Sequence, residues 1–153
     1  MKPILIVAAA AMAGSALPQF SFGPHKAGVA YTSADIAALD CKQDRAVISC
    51  TDSNANVGGT WAVVEIVIVK RRLSSLIVAG DRDSLPEVTS AMQRKYGPPC
   101  ASGSETLVNG RGNAFPSPTT TWCFQTGKFV LHQTGLRMDS YKAVFVDETN
   151  PEI

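Results

Sequence analysis

Histidine is scarce in this chain of 153 residues: only His25 and His132 are present. Close CxxC pairs are missing too, because eight residues separate Cys41 from Cys50 and 22 separate Cys100 from Cys123. A metal centre built from thiolates and imidazoles is therefore not expected. No G-x-S-x-G serine occurs, which removes the nucleophile elbow of one large hydrolase class. Long apolar runs are also lacking. The longest near the start, Ile4 to Ala13, is ten residues, about half of the ~20 that a membrane-crossing helix needs. Glu65, Lys70, Arg71 and Arg72 break the second, "WAVVEIVIVKRRLSSLIVAG".

What the first run does fit is a secretory leader. Lys2 precedes it, and Gly14 and Ala16 stand at the minus-three and minus-one positions of a cleavage site, so residues 1–16 are expected to be a signal peptide. Removing them takes Lys2 from the 14 basic residues and leaves 13 against 13 acidic ones, a formal charge of zero. Such a chain exerts no long-range pull on nucleic acid or anionic lipid. An even cysteine number in an exported chain reads as a disulfide framework. Of the three pairings, Cys41 with Cys50 and Cys100 with Cys123 is favoured, since each closes a short loop around an expected turn. The expectation is a soluble bacterial protein, periplasmic or secreted, with no stable membrane insertion after cleavage.

Residues 17–31, rich in Pro, Gly and Ser, read as an extended lead-in. "TSADIAALD" starts a short helix that Thr32 can cap, with Asp35 near its positive end. "RAVISCT" reads as a strand, "SNANVGG" as a turn, and "TWAVVEIVIV" with "LSSLIVAG" as a hairpin around "KRR". Both faces of the longer strand are apolar, which predicts cover on both sides. "DRDSLPEVTSAMQRKYGPP" is the clearest helix: Ser84 and Glu87 have capping-box spacing, Val88, Met92 and Tyr96 recur at steps of four, and Gly97 with Pro98 ends it. A three-stranded meander follows from "TTTWCFQ" to "YKAVFVD", and residues 148–153 form an exposed tail. The sum is an α+β domain over residues 32–147, an antiparallel sheet with two helices on one face and two disulfides. The order helix, Cys, Cys in a strand, further strands occurs twice, which is compatible with a duplicated α-β-β-β unit and halves at 32–81 and 82–147.

That repeated order resembles the tandem architecture of the secreted beta-lactamase inhibitory proteins and the small helix-then-meander domains of bacterial envelope accessory proteins. Thr32 and Ile36 before Cys41 and Cys50 carry it in the first half. Ser84, Val88 and Gly97 before Cys100 and Cys123 carry it in the second. The Gly-Met-Thr that commonly opens the helix in such repeats is absent, since "VAYTSADI" stands there. By analogy of fold the resemblance implies a binding role.

Chemistry is thin. A nucleophile needs a base, usually a histidine oriented by a carboxylate, and His132 in "FVLHQ" is the one candidate in an expected element. Glu65 interrupts an apolar strand face and is the carboxylate a glycan hydrolase would use, with His132 in the same pocket. "NGRGN" lacks the strand-loop-helix setting of a phosphate cradle. The stretch between Cys100 and Cys123 reads as a loop over 101–119, stapled at its base, that presents Arg111, Asn113 and Phe115 for binding. The leading expectation is an exported, non-catalytic binding, inhibitory or envelope accessory protein without cofactor. Its partner would be another envelope or secreted protein. A small cell-wall or glycan hydrolase is the alternative.

Overall fold

The computed structural model describes residues 16–135 and 138–152; most of the expected leader and part of the turn near "GLRMDS" lie outside the described residues. In chain order the elements are β1 (Ser21–Phe22), β2 (His25–Lys26), α1 (Ser33–Ala37), β3 (Asp40–Asp44), β4 (Val47–Val57), β5 (Thr60–Val69) and β6 (Arg72–Asp81). A short 3-10 turn at Arg82–Ser84 leads into α2 (Leu85–Tyr96), and β7 (Ala101–Val108), β8 (Ala114–Phe124), β9 (Gly127–His132) and β10 (Ser140–Asp147) follow. β1 and β2 form a small ribbon. The other strands make one antiparallel sheet in the order β3-β4-β5-β6-β10-β9-β8-β7, so the two runs of four strands meet at β6 and β10.

Register separates the two faces. One row runs Cys41, Cys50, Ile66, Leu76, Phe145, Phe129, Trp122 across seven strands. Apart from the half-buried Cys41, all are buried in the core. Directly opposite residues on antiparallel strands share a face, so this row defines the covered side. The neighbouring row, one residue along, points the other way: Asp40, Thr51, Glu65, Ile77, Val144, Val130, Thr121, Ala101. β5 is central but covered on one side only. Ala62, Val64, Ile66 and Ile68 are buried, whereas Val63 and Val67 are half-exposed and Trp61 is 63 % exposed. The expectation of cover on both sides fails because the described residues supply one main helix, and it lies on the other face.

That helix is α2. Val88 and Met92 are buried against the sheet, and Gly97, at φ 78°, ends it. At its start the backbone passes so close to the β4–β5 turn that a Cβ on Gly58 would lie 2.5 Å from the Glu87 carbonyl oxygen. At its end the Trp122 indole donates to the Gly97 carbonyl at 3.0 Å. The expected capping box of Ser84 and Glu87 does not form: Ser84 is itself helical, because the 3-10 turn precedes it. α1 does carry its box, with the Thr32 hydroxyl accepting from the Asp35 N–H and the Asp35 carboxylate accepting from the Thr32 N–H. These hydrogen bonds hold the Asp35 carboxyl below its usual range. At five residues α1 buries no side chain fully, so the second covering helix is reduced to a short turn.

Two further expectations need correction, and a third gains a detail. The lead-in is part of the core rather than a simple extended approach: Phe20 is fully buried, stacked on Phe145 at 3.9 Å between ring centroids and packed against Phe124, Phe129 and Tyr96. The tail is exposed as expected at Glu148, Thr149, Pro151 and Glu152, and Asn150 pins it, its amide donating to the carbonyls of Val69, Arg72 and Leu73 at the β5–β6 turn. "SNANV" is strand, with a register shift between Asp52 and Ala55 that absorbs its turn-forming residues.

The hairpin tip "KRR" turns on Lys70 at φ 52° and Arg71 at φ 64°, left-handed values that cost non-glycine residues free energy. An offset is visible: the Arg71 guanidinium donates twice to the Tyr31 carbonyl, and the Tyr31 N–H donates back to the Arg71 carbonyl. The tip is a clasp for the lead-in.

Candidate functional site

Cys41 is bonded to Cys50 and Cys100 to Cys123, and no free cysteine remains among the described residues. The first bond joins directly opposite residues of β3 and β4 on the covered face. The second lies on the other side, since Cys123 sits opposite Lys128 in the row of Val146. Each ties an edge of the sheet to its inboard neighbour.

The segment between Cys100 and Cys123 is a β-hairpin, not a loop. β7 pairs with β8 from Ala101–Thr121 out to Val108–Ala114, and only the tip at 109–113 turns. The Asn109 side-chain oxygen accepts from the N–H groups of Arg111 and Asn113, and Gly112 takes a positive φ. Arg111 and Asn113 are exposed at that tip, while Phe115 belongs to the strand, half-buried opposite Leu107. The alternating polar run "SETLV" carried a strand signal that the Gly, Ser and Pro content masked.

Glu65 and His132 do share a face, but they stand on β5 and β9 with two strands between them, about 14 Å across the sheet at ~4.8 Å per strand, and His132 lies two residues further along than the Glu65 row. His132 is hydrogen-bonded to Glu105 at 2.8 Å instead. The pair that a carboxylate hydrolase would have used is not assembled.

Two surfaces remain. The first is the open sheet face, where Val63, Val67, Ile77, Val130 and Val144 are β-branched, Glu65 stands exposed between Val63 and Val67, and Trp61 and Val146 are exposed beside them. Lys128, Lys142 and the His132–Glu105 pair lie around that centre.

The second is a cleft of about 410 Å³ between β1–β2, the shifted part of β4 and the C-terminal half of α2. His25, only 2 % exposed, stands at its wall. One end of the ring meets the Tyr31 hydroxyl, with Nδ1 at 2.9 Å; Nε2 has no hydrogen-bond partner and faces the Asp52 carboxylate at 3.9 Å, too far for a direct bond. The carboxylate favours the tautomer with the proton on Nε2, and Nδ1 then accepts from Tyr31, whose own ionisation burial suppresses. Burial lowers the His25 pKa below 6.5, and the charge of Asp52 offsets this only in part.

His25 was legible only as a residue of an extended lead-in. Its signal was the aromatic spacing around it, Phe20, Phe22 and Tyr31, which is the pattern of a segment that packs.

The lowered pKa gives a pH prediction. An unfolded chain binds a proton at His25 as pH falls through 6.5, whereas the folded chain does so only at lower pH. Stability from neutral His25 is thus fully present above 6.5 and is lost as pH falls below it, by at most about 1.4 kcal/mol per pH unit. Asp52 on β4, Asp35 on α1, Lys26 on β2 and Lys95 on α2 are the charged groups around the ring's surroundings. Urea midpoints between pH 7.5 and 5 are expected to drop for the wild type and to lose this limb in His25→Gln. Parallel curves would show that the ring's ionisation does not contribute.

No known protein family, curated protein or solved structure matches this chain. Fold and surfaces define the class: an antiparallel α+β sheet protein with two disulfides, helix on one face and an open apolar patch on the other. Two disulfides suit an oxidising compartment. Among the described residues no helix is long and apolar enough to cross a membrane, and no cluster of three or more His, Cys, Asp or Glu side chains could hold a metal.

Proposed function

We propose that this chain is an exported, non-catalytic binding protein of the bacterial periplasm or the extracellular medium, and that its open sheet face docks another folded exported protein. The observation that carries this reading is the uncovered β-branched patch with Trp61 beside it. Eight strands at ~4.8 Å span about 34 Å, wider than a small ligand needs and suited to the ~800 Å² that one side of a protein interface buries. A β-branched centre that holds one carboxylate, Glu65, and is bordered by Lys128, Lys142 and His132–Glu105 supports a partner with a complementary basic group among apolar ones. Trp is among the residue types enriched in interface hot spots. The palindromic strand order supports a duplicated unit of one helix and four strands, and with it the resemblance to inhibitory proteins. The two disulfides lie on opposite faces, so strand order supports that resemblance and cysteine position does not.

Immobilised protein, exposed to envelope extract and culture supernatant, is expected to retain a stoichiometric partner. Trp61→Ala and Val144→Lys should each weaken retention by about tenfold or more, a loss in the hot-spot range, while Arg111→Ala at the hairpin tip leaves it intact. Retention of nothing, retention indifferent to both face variants, or self-association through this face would each overturn the proposal.

A further inference from the structure

We propose that the cleft between β4 and α2 binds a small hydroxyl-bearing carboxylic acid with an aromatic or branched apolar body, its hydroxyl held between His25 and Asp52 and its carboxylate at Lys95. Three observations converge on that chemistry. The His25 Nε2 atom is buried without a hydrogen-bond partner, and native proteins rarely leave such a group unmatched. Its gap to the Asp52 carboxylate, 3.9 Å, sets a donor against an acceptor. A hydroxyl answers both, accepting from Nε2–H while donating to the carboxylate. A ligand carboxylate there would meet repulsion from Asp52, and an ammonium would face the Nε2–H donor.

The second observation is Lys95. Its ammonium lies 5.4 Å from the ring centroids of both Phe22 and Tyr96, and no carboxylate is paired with it among the described residues. Held over aromatic faces at the side of the cleft, it is a cation positioned for an anionic group. The third is the lining between these polar points. Phe22, Val64, Met92 and the Tyr96 ring are apolar, and the volume of about 410 Å³ falls in the range of small-molecule sites. The register shift between Asp52 and Ala55 opens this space.

The cleft lies on the helix side of the sheet, opposite the docking face, so the two readings stand or fall separately. The probes are 3-(4-hydroxyphenyl)propanoate, 3-phenylpropanoate, which lacks the hydroxyl, and tyramine, which carries an ammonium where the acid has its carboxylate. Amide chemical shifts of the ¹⁵N-labelled chain report both affinity and position. The hydroxy acid at millimolar concentration is expected to shift Asn54, Ala55 and Lys95. Loss of either polar group should weaken binding about tenfold, the scale expected when a buried polar group loses its partner. Lys95→Met and Asp52→Asn should do the same in the wild-type fold, which the same spectrum verifies; a variant that misfolds leaves the three-probe comparison on wild type to decide. No shift from the hydroxy acid, shifts away from the cleft, equal binding of all three probes, or wild-type affinity in Lys95→Met would overturn the assignment.

Discussion

Phe20→Ala is expected to cost about 3–5 kcal/mol, the range for deleting a buried phenylalanine side chain, and to lower the melting midpoint by roughly 10 °C or more. The argument starts from position. Phe20 comes from outside the main sheet, yet it is fully buried and lies at the meeting point of rings from α2, β8, β9 and β10. α2 leaves space over the second half of the sheet, and the lead-in fills it. Truncation would expose Phe129, Phe145 and Phe124 to a cavity whose walls belong to separate strands and cannot collapse together. The lead-in is also tied by backbone bonds, Gln125 N–H to Pro18 and Ala27 N–H to Phe20, so the lost ring loosens the ribbon and the wall of the cleft. A urea titration with disulfides intact measures the cost. A loss below about 1 kcal/mol, within the spread of surface substitutions, would mean that the lead-in packs on a core already complete without it.

How much of this was legible in the sequence follows from which signals are local. The hairpin around Lys70 and Arg71, α2 and the strands "TWCF", "KFVLH" and "YKAVFVD" announce themselves through apolar period and turn chemistry, and the structure places them so. Thr32 and Asp35 form their box because both partners lie within one turn. What stayed illegible was tertiary. Nothing within "PQFSF" states that Phe20 crosses to the far half of the sheet. β3, "DCKQD", is polar because it is an edge strand with little to bury. β7 is polar for the same reason. The apolar outer side of β5 looked like a second buried face, since period-2 alternation cannot distinguish cover by this chain from an uncovered patch. The cleft was invisible because His25, Asp52 and Lys95 come from three segments that no spacing relates.

Edge protection leads to the second large effect. Opening both disulfides is expected to remove about 6 kcal/mol, comparable with the whole stability of many domains of this size, so the reduced chain should be largely unfolded at moderate temperature. In the chain-entropy account the bond with sequence separation 9 contributes about 2.5–3 kcal/mol and the one with separation 23 about 3–3.5 kcal/mol. Burial modifies that order. Cys50 is 3 % exposed in the core row, so Cys41→Ala with Cys50→Ala also leaves a cavity, whereas Cys100 is exposed. The two double variants should therefore cost nearly the same despite their different loops, which urea unfolding can read directly. Reduction kinetics should separate them. Thiolate must reach sulfur in line, so limiting reductant is expected to open Cys100–Cys123 first, freeing β7 at the sheet edge while β3 stays fastened. Alkylation and peptide mapping at partial reduction checks the order; thiols appearing first at Cys41 and Cys50 would mean that β3 and α1 open more readily than the β7–β8 hairpin. If the order holds, the exposed bond guards the longer free edge, and its loss leaves eight residues of unpaired backbone able to add a strand from another chain.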